Sequence, residues 1–218
     1  MKSIILLFTS TALIVLQGCG QNPSFPKNTD KALIKVGGVC EGCEAIYESP
    51  LPFDKLDETD TLPDFNGPGQ KIEISGIIYK ADGKTPAPGV VLYIYHTNQK
   101  GLYTAGDNAT GWAKRHGAIR GWVKTNQEGF YKFYTLIPAS YPTGNNPKHI
   151  HPTIKEPGFT EYWIDDFVFD DDPLLLQKER NKSNAAGGNG VLKAVNKNGI
   201  LAATRNIILG LHVKDYPQ

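Results

Sequence analysis

Two histidines separated by one residue are the side chains of this chain best suited to binding a metal ion. His149 and His151 lie in the segment "PKHIHPTIK", which reads as a β-strand. Side chains alternate along a strand, so both imidazoles point to one face with their Cα atoms about 6.5 Å apart, while Ile150 points to the core. Two imidazoles at this spacing can bind one ion, but a metal site needs further protein ligands. By itself the pair also fits a solvent-facing strand edge.

Carboxylates and cysteines elsewhere in the chain offer further chemistry. The run "DDFVFDDDP", residues 165–173, could supply carboxylate ligands, although its composition is typical of a turn. Cys40 and Cys43 form a CxxC motif, which can be a redox pair, half of a metal site or a local disulfide. No second CxxC accompanies it in the sequence. This favours a structural disulfide or a pair of free thiols over a redox function.

Short segments of alternating or β-branched residues predict the elements that position these groups. The predicted strands cover residues 71–79, 90–96, 119–126, 130–138, 148–155, 161–169 and 203–213. Turns rich in Gly, Pro and Asn connect the earlier pairs. Residues 172–181 could form one or two helical turns. The spacing predicts an all-β fold, a β-sandwich with long loops and little helix.

The overall composition suits one globular domain rather than a nucleic-acid-binding or disordered protein. The chain has 218 residues and a formal net charge of +1, with 40% hydrophobic residues. Its sequence contains no basic patch that would attract a phosphate backbone. We therefore expect a small-molecule ligand rather than a nucleic acid.

The N-terminus has the features of a bacterial lipoprotein signal. A lysine at position 2 precedes an apolar run, and the run ends in "LQGC" at Cys19. This tetrapeptide resembles a lipobox, in which cleavage precedes a cysteine whose thiol is then acylated; a plain secretory signal is the alternative. Lipid on Cys19 would anchor the exported protein to a bacterial membrane in the cell envelope. The predicted organisation is a signal peptide (1–18), a tether (19–35) and one domain (36–218).

Sequence elements in a fixed order resemble the signature of the intradiol ring-cleavage dioxygenases, the catechol and protocatechuate family. They are "NQKGLY", "GWVKTNQEGFYKFYTLIPASYP" and "PKHIH", and the resemblance extends over approximately residues 70–175. It implies a β-sandwich that binds non-haem Fe(III) through two tyrosines and two histidines. In this chain those ligands are Tyr103, Tyr141, His149 and His151. Phenolate oxygen is a hard donor that a bound cation can keep deprotonated, which suits ferric iron.

The resemblance also implies a reaction, cleavage of a catechol-type ring between its two hydroxylated carbons with both atoms of O₂ incorporated. In the family's mechanism the catechol displaces one tyrosine, here Tyr141, which accepts a substrate proton. Asn146 stands where the family has an arginine that stabilises charge on the bound ring, and Glu161 is the nearest match to a family glutamine. Because asparagine is uncharged, we expect weaker electrostatic assistance from Asn146.

Three charged residues in "KRHGAIRGW" could supply the charge that Asn146 lacks. They are Arg115, His116 and Arg120, which lie between the first and second elements of the signature. For each of them we expect an exposed surface position instead.

A non-catalytic function is the alternative for the same strands. The segment "ISGIIYKADGKTPAPGVVLYIY" followed by "TNQEGFYKFYTL" also resembles the transthyretin-like sandwiches attached to outer-membrane receptors and carboxypeptidases, which bind or brace and catalyse nothing. That resemblance accounts for the strands and turns but not for the two tyrosines and two histidines together. The sequence leaves the oligomeric state and the identity of the catechol open.

Overall fold

A computed structural model describes residues 32–217, which form two six-stranded β-sheets. The strands are β1 (Thr59–Thr61), β2 (Lys71–Tyr79), β3 (Val91–His96), β4 (Arg120–Lys124), β5 (Phe130–Leu136), β6 (His149–Lys155), β7 (Tyr162–Trp163), β8 (Phe167–Phe169), β9 (Val191–Leu192), β10 (Val195–Lys197), β11 (Ile200–Thr204) and β12 (Ile207–Ile208). The helices are the α-helices α1 (Ala113–His116) and α2 (Gln177–Arg180) and the 3₁₀ helices Cys43–Glu48 and Phe53–Lys55. The predicted β-sandwich with little helix is confirmed.

Each sheet is built around a long central ladder. The first sheet has the order β1-β5-β2-β11-β10, with β12 also paired to β2. The second has the order β4-β3-β6-β8-β9, with β7 also paired to β6. The β2–β5, β3–β4 and β3–β6 pairs are antiparallel. The predicted strand over 161–169 divides into β7 and β8, which leaves a short irregular connection between them.

The core lies between the two sheets because each strand turns its apolar side chains inward. Burial alternates strictly along β2, as expected for a strand with one face in the core. Side chains from both sheets belong to one buried cluster, which includes Ile72, Ile74, Phe133, Leu92, Ile94, Ile150, Ile154 and Phe167. Burial of this apolar surface is the main stabilising contribution to the sandwich.

The central strand β3 is buried on both faces, because an N-terminal segment covers its outer side. Ala45 and Ile46 of the first 3₁₀ helix pack against Tyr93 and Trp122 in a second, smaller apolar cluster. The Trp122 indole donates a hydrogen bond to the Ile46 carbonyl at 2.9 Å. A disulfide between Cys40 and Cys43 closes the loop at the start of this helix. Of the two favoured alternatives for these cysteines, the structure shows the disulfide.

Residues 1–31 and residue 218 are not among those described. The predicted signal peptide, Cys19 and most of the predicted tether therefore lie outside the described residues, and they stay predictions. At the start of the described chain, Ile34 forms an isolated parallel bridge with Phe159. Within residues 32–217, no helix is both long enough and apolar enough to cross a membrane.

Candidate metal centre

Four ring-bearing side chains converge beside the first residues of β6. The hydroxyl oxygens of Tyr103 and Tyr141 lie 2.7 Å apart, and the Nε2 atoms of His149 and His151 lie 3.1 Å apart. His151 Nε2 is 2.9 Å from the Tyr103 hydroxyl, and His149 Nε2 is 3.1 Å from the Tyr141 hydroxyl. A distance of 3.4 Å joins the Tyr141 hydroxyl to His151 Nε2. The structure thus brings together all four residues that were predicted as metal ligands.

Strand β6 supplies both imidazoles through the alternation of its side chains. His149 and His151 project to one side, while Ile150 between them is fully buried in the core. The strand pairs with β3, where Tyr95 lies opposite His151, and with β8, where Val168 lies opposite His149. Pairing on both sides fixes the separation of the two rings.

Asn98 organises the loop that carries Tyr103. Its side-chain oxygen accepts hydrogen bonds from the backbone N–H groups of Lys100 and Leu102 at 2.8 and 3.2 Å. Its side-chain nitrogen donates to the Thr104 hydroxyl at 2.7 Å. Asparagine suits this position because its short amide can bond to backbone groups a few residues further along the chain. The contacts hold the chain on both sides of Tyr103 and so fix where its hydroxyl lies.

A close backbone contact joins the Tyr103 loop to the segment that carries Tyr141. Gly101 has a φ angle of 73°, and a Cβ atom at this position would lie 2.0 Å from the Ser140 carbonyl oxygen. The Thr97 hydroxyl also donates to the Ala139 carbonyl at 2.6 Å. A residue with a side chain at position 101 would push the two segments apart. The glycine therefore allows the two phenols to meet.

Hydrogen bonds at the Nδ1 atoms determine which nitrogen of each histidine is free to accept. His149 Nδ1 lies 2.6 Å from the Pro147 carbonyl, which can only accept, so this nitrogen carries the proton. His151 Nδ1 lies 2.9 Å from the Asp166 carboxylate. Burial lowers the pKa of His149; against the effect of burial, the hydrogen bond from His151 keeps the pKa of Asp166 below its usual value. In neutral rings, both Nε2 atoms are therefore acceptors.

The arrangement of these donors fits one bound cation. Two acceptor nitrogens 3.1 Å apart cannot hydrogen-bond to each other, whereas a cation bound by both nitrogens would make this close approach favourable. Burial raises the pKa of Tyr103 and Tyr141, so both phenols stay protonated unless a cation stabilises their ionised forms. Ligands bound at about 2.1 Å around one ion lie roughly 3 Å apart. The contacts among the four donor atoms are 2.7 to 3.4 Å.

Asp166 is a part of the site that the sequence indicated only within a longer acidic run. Together with His149 and His151 it forms a group whose potential ligand atoms all lie within 4.8 Å of one another. Its contact, however, is with Nδ1 of His151, on the edge of the ring that faces away from the tyrosines. A carboxylate in this place fixes the orientation and tautomer of a ligating histidine. Asp166 therefore orients His151 and does not join the four converging donors.

Glu161, the match proposed for the family glutamine, is wrongly placed for that role. Its carboxylate accepts a hydrogen bond from the Tyr47 hydroxyl at 2.7 Å on the protein surface. Glu161 immediately precedes β7, and the chain is irregular between β7 and β8. Asp166, in that irregular connection, is the acidic residue that contacts His151.

A cleft of about 350 Å³ adjoins the four donors. Tyr141, His149 and His151 line it, and so does Asn146, which brings this predicted catalytic residue to the same cavity as Tyr141. Tyr103 does not line the cleft. The rest of the lining comes from residues around β8 and from the segment that follows it, up to the start of β9.

A buried arginine joins two of the segments that line this cleft. The Arg205 guanidinium donates to the carbonyls of Asp165 and Gly188, at 2.7 and 3.4 Å, and lies 4.3 Å from the centre of the Phe167 ring. Burial lowers the pKa of Arg205 to about 10, so it stays charged at neutral pH. A single arginine outside any motif gives no signal in the sequence, so Arg205 was not predicted.

An aromatic stack supports His151 on the side away from the cleft. The Tyr95 ring lies 4.7 Å from the His151 ring and 3.7 Å from the His116 ring, with the second pair parallel to within 2°. His116 Nδ1 lies 2.9 Å from the Tyr93 hydroxyl. Burial lowers the pKa of His116 to about 4, which keeps this ring neutral at pH 7. The stack is thus an uncharged, packed wall behind one of the four donors.

The three charged residues proposed as substitutes for the missing arginine do not line the cleft. Arg115 is exposed and pairs with Glu41 at 2.6 Å, as expected for a surface residue. The surface expectation is wrong for His116, which is buried, and for Arg120, whose largely buried side chain pairs with Glu48 at 2.7 Å. Both are covered because the N-terminal segment packs over the outer face of the second sheet.

Comparisons with known proteins agree with this geometry. A family profile described as a dioxygenase matches residues 47–205. Catechol 1,2-dioxygenase 2 of Acinetobacter lwoffii is 26% identical over 205 residues, covering 78% of this chain and 72% of that protein. Catechol 1,2-dioxygenase 1 of the same organism is 33% identical over 140 residues, covering 54% of this chain and 43% of that protein. The chain thus spans less than half of the second relative.

A solved structure shows the same fold. Catechol 1,2-dioxygenase from Acinetobacter sp. ADP1 aligns with a TM-score of 0.53 and 21% sequence identity, over 69% of this chain and 56% of that one. At this identity the likeness concerns the sandwich alone. The family match, by contrast, covers well over half of the 218 residues. The chain therefore belongs to the intradiol ring-cleavage dioxygenase family.

Proposed function

We propose that the protein binds non-haem Fe(III) through Tyr103, Tyr141, His149 and His151 and cleaves a catechol-type ring with O₂. The observation that carries the proposal is the contact between two acceptor nitrogens, 3.1 Å apart and next to two phenol oxygens. A shared cation accounts for all of these contacts together, whereas neutral hydrogen bonds from the two phenols would satisfy each nitrogen but leave the contact between the nitrogens without a bond. Family membership and the names of the catechol 1,2-dioxygenase relatives support the choice of substrate and reaction.

The residues of the chain divide the work of such a site. Ferric iron, when bound, would supply a Lewis acid that withdraws electron density from the catechol ring and makes it reactive towards O₂. Tyr103, His149 and His151 would hold the ion throughout. Tyr141, which borders the cleft, is the ligand that a catechol can replace, and its released phenolate would accept a proton from a catechol hydroxyl.

Asn146 contributes to the cleft without adding charge. It lies beside Tyr141 and His149 in the lining, where its amide can donate a hydrogen bond to a ring oxygen. An uncharged donor stabilises negative charge on the ring less than a guanidinium does. We therefore assign Asn146 a role in orienting the ring. The overall reaction breaks the bond between the two hydroxylated carbons and incorporates both atoms of O₂, which yields a ring-opened dicarboxylic acid.

Iron analysis and visible absorbance test the proposal directly. Protein produced with iron should retain the metal and be red to burgundy, because phenolate ligands donate charge to ferric iron under visible light. Catechol added without oxygen should move the absorbance band to longer wavelength, and admission of air should start oxygen uptake. His151→Ala should abolish the colour, whereas His212→Asn, which removes an exposed histidine outside the site, should retain it. Asparagine suits position 212 because the φ angle there is 56°.

The alternative function gives the opposite result. A non-catalytic sandwich that binds or braces another protein would be colourless after production with iron, and wild type and His151→Ala would be indistinguishable in metal content. That outcome would overturn the iron site and, with it, the dioxygenase activity. Retention of iron without oxygen uptake would overturn the activity alone.

We also propose that the protein is exported and held at a bacterial membrane by lipid on Cys19. The support is the signal-like N-terminus and its "LQGC" tetrapeptide. Full-length protein expressed in a Gram-negative host should partition into the detergent phase, and Cys19→Ala should abolish this partitioning. Cys40→Ser serves as the control, because Cys40 lies outside the signal. Wild-type protein found entirely in the soluble fraction would contradict the anchor.

A further inference from the structure

The cleft beside the metal centre is small and has mixed chemistry. Its volume of about 350 Å³ lies at the lower end of the range of small-molecule sites, roughly 300–1,000 Å³. Part of the lining is apolar and comes from Val168, Leu175, Ala185 and Val191. A single ring with a short substituent fits such a space.

The charged side chains of the cleft are unevenly balanced. Three carboxylates line it, those of Asp165, Asp166 and Glu179, against one ammonium group, that of Lys182. This ammonium group is already bonded to the Asp165 carboxylate. The remaining polar lining, which includes Asn146 and Asn189, is uncharged. No cation of the lining is therefore free to pair with a negatively charged substituent on the ring.

The carboxylates differ in what already neutralises them. Asp165 pairs with Lys182 and also accepts the backbone N–H of Ala186. Among the described residues, the Asp166 carboxylate bonds only to a ring N–H group of His151 and forms no ion pair with a lysine or an arginine, although the buried Arg205 guanidinium attracts it from a longer distance. Glu179 accepts the backbone N–H of Leu176 at 2.9 Å and is an exposed residue of the short helix α2. Two of the three carboxylates that line the cleft, those of Asp166 and Glu179, are thus not paired with a lysine or an arginine.

We infer that the cleft selects catechols by the charge of the ring substituent, accepting uncharged or ammonium-bearing side chains and rejecting carboxylates. This inference rests on the proposed function. Away from the metal, a carboxylate entering the cleft would lose part of its hydration, meet no unpaired lysine or arginine of the lining and approach two groups of its own sign. An ammonium group would meet opposite charge instead. Specificity in this cleft therefore comes chiefly from repulsion of the wrong substrate.

Three catechols with side chains of similar length test the inference. They are 4-propylcatechol, 4-(2-aminoethyl)catechol and 3,4-dihydroxyphenylacetate, which carry an uncharged, a positive and a negative substituent. For the iron-loaded protein, kcat/KM from oxygen uptake should be at least about tenfold lower for the acetate than for the propyl compound. The aminoethyl compound should equal or exceed the propyl compound. Anaerobic titration of the visible band should give dissociation constants in the same order.

Variants of the cleft lining test whether its charge, rather than its shape, determines which catechol is cleaved. Glu179→Gln removes one charge but keeps the side-chain oxygen that accepts the Leu176 N–H, so the fold should be unaffected. This variant should lower the ratio of kcat/KM for the propyl compound to kcat/KM for the acetate by about threefold. Asn146→Arg, which adds a cation to the lining, should lower this ratio further. Glu128→Gln removes an exposed carboxylate outside the cleft and should leave the ratio unchanged.

The outcomes distinguish failure of the inference from failure of the proposed function. If the propyl compound is cleaved and kcat/KM for the acetate is within about tenfold of its value, the inferred charge selection is wrong, but the proposed dioxygenase activity is still supported. A ratio that neither Glu179→Gln nor Asn146→Arg changes would also overturn the inference, because the charges of the cleft would not be its cause. If none of the three catechols alters the visible band or consumes oxygen, the proposed function fails and the inference falls with it.

Discussion

The two tyrosines of the metal centre face different surroundings. Tyr103 lies on the packed side, where its ring centre is 5.7 Å from that of Tyr95 and its loop is held by Asn98. Tyr141 lies on the open side, where it lines the cleft and is followed by exposed residues from Pro142 to Asn146. Their hydroxyl oxygens are nevertheless only 2.7 Å apart. Two chemically identical groups thus have unequal freedom to move.

This difference explains how one site could both retain an ion and exchange a ligand. On the packed side, displacement of Tyr103 would require the aromatic stack and the Asn98 loop to rearrange. On the open side, Tyr141 borders the cleft, so we expect its displacement to disturb fewer packed side chains. His151 adjoins both sides, because it stacks on Tyr95 and also lines the cleft. We therefore expect the site to have a retained half, which contains Tyr103, and an exchangeable half, which contains Tyr141.

The strongest test of this comparison removes each phenol hydroxyl in turn. Tyr103→Phe should lower iron affinity by more than about 100-fold, because the lost ligand belongs to the retained half. Tyr141→Phe should keep much of the iron, since three donors remain, but should slow the proton transfer that accompanies catechol binding. Iron content after dialysis against a chelator, together with stopped-flow absorbance under nitrogen, measures both effects.

Tyr134→Phe is the matched control for these two variants, because Tyr134 lies on β5 in the other sheet and takes no part in the site. It should retain iron and catechol binding at wild-type levels. Equal loss of iron in Tyr103→Phe and Tyr141→Phe would contradict the division into two halves, although it would still support a four-ligand site.

A smaller effect is expected when the support of His151 is weakened. Asp166→Asn keeps the size of the side chain but replaces the carboxylate that accepts the His151 N–H. Loss of such a partner typically lowers metal affinity by about 10- to 100-fold. Competition with a chelator measures this change, and the visible band should shift because His151 becomes a weaker donor. An unchanged band and unchanged affinity would show that Asp166 does not orient the ligand.

The backbone contact between the two tyrosine segments predicts an effect on both stability and iron binding. Gly101→Ala places a methyl group against the Ser140 carbonyl and imposes a φ angle of 73° on a residue with a side chain. We expect a loss of about 3 kcal/mol in the free energy of unfolding of the metal-free protein. Urea unfolding measures it.

Gly89→Ala provides the control for this backbone prediction. Gly89 also has a positive φ angle, 75°, but a methyl group there would meet nothing within 4 Å. The loss in the free energy of unfolding of Gly89→Ala should therefore come from backbone strain alone and be about 1 kcal/mol. Similar losses in the two variants would mean that the contact with Ser140 is not what constrains the Tyr103 loop.

The strands and the two histidines were predictable because local patterns encode them. Alternation along β2 and the one-residue spacing of His149 and His151 follow directly from strand geometry. The tyrosines were different, because nothing local connects positions 103 and 141, and only the resemblance to a family associated them with the histidines. Their proximity depends on Gly101, whose role appears only when the two segments are in contact.

The supporting residues could not be read from the sequence, because each acts through a long-range contact. Asp166 reaches His151 from the irregular connection between β7 and β8, and the acidic run around it concealed which carboxylate would do so. Arg205 and His116 carry no motif, and their burial depends on segments distant in the chain. A prediction that such residues are exposed to solvent fails where an N-terminal segment covers a face of the sheet.

The smallest effect is expected on the packed side, at the disulfide that closes the N-terminal loop. The Cys40–Cys43 bond restricts only a short loop, so the double variant Cys40→Ser, Cys43→Ser should lose about 2 kcal/mol of stability. For a domain of this size that corresponds to a decrease in Tm of about 6 °C. Both cysteines share a small cavity with Tyr95 and His151, yet neither contacts a donor atom of the site, so iron content at 25 °C should be unchanged. Thermal unfolding of the metal-free protein measures the loss, and a reductant should lower the Tm of the wild type but not that of the variant. Loss of iron from the double variant at 25 °C would show that the disulfide loop is needed to hold His151 in place. The aromatic stack and the Asn98 loop would then not be sufficient to fix the packed side.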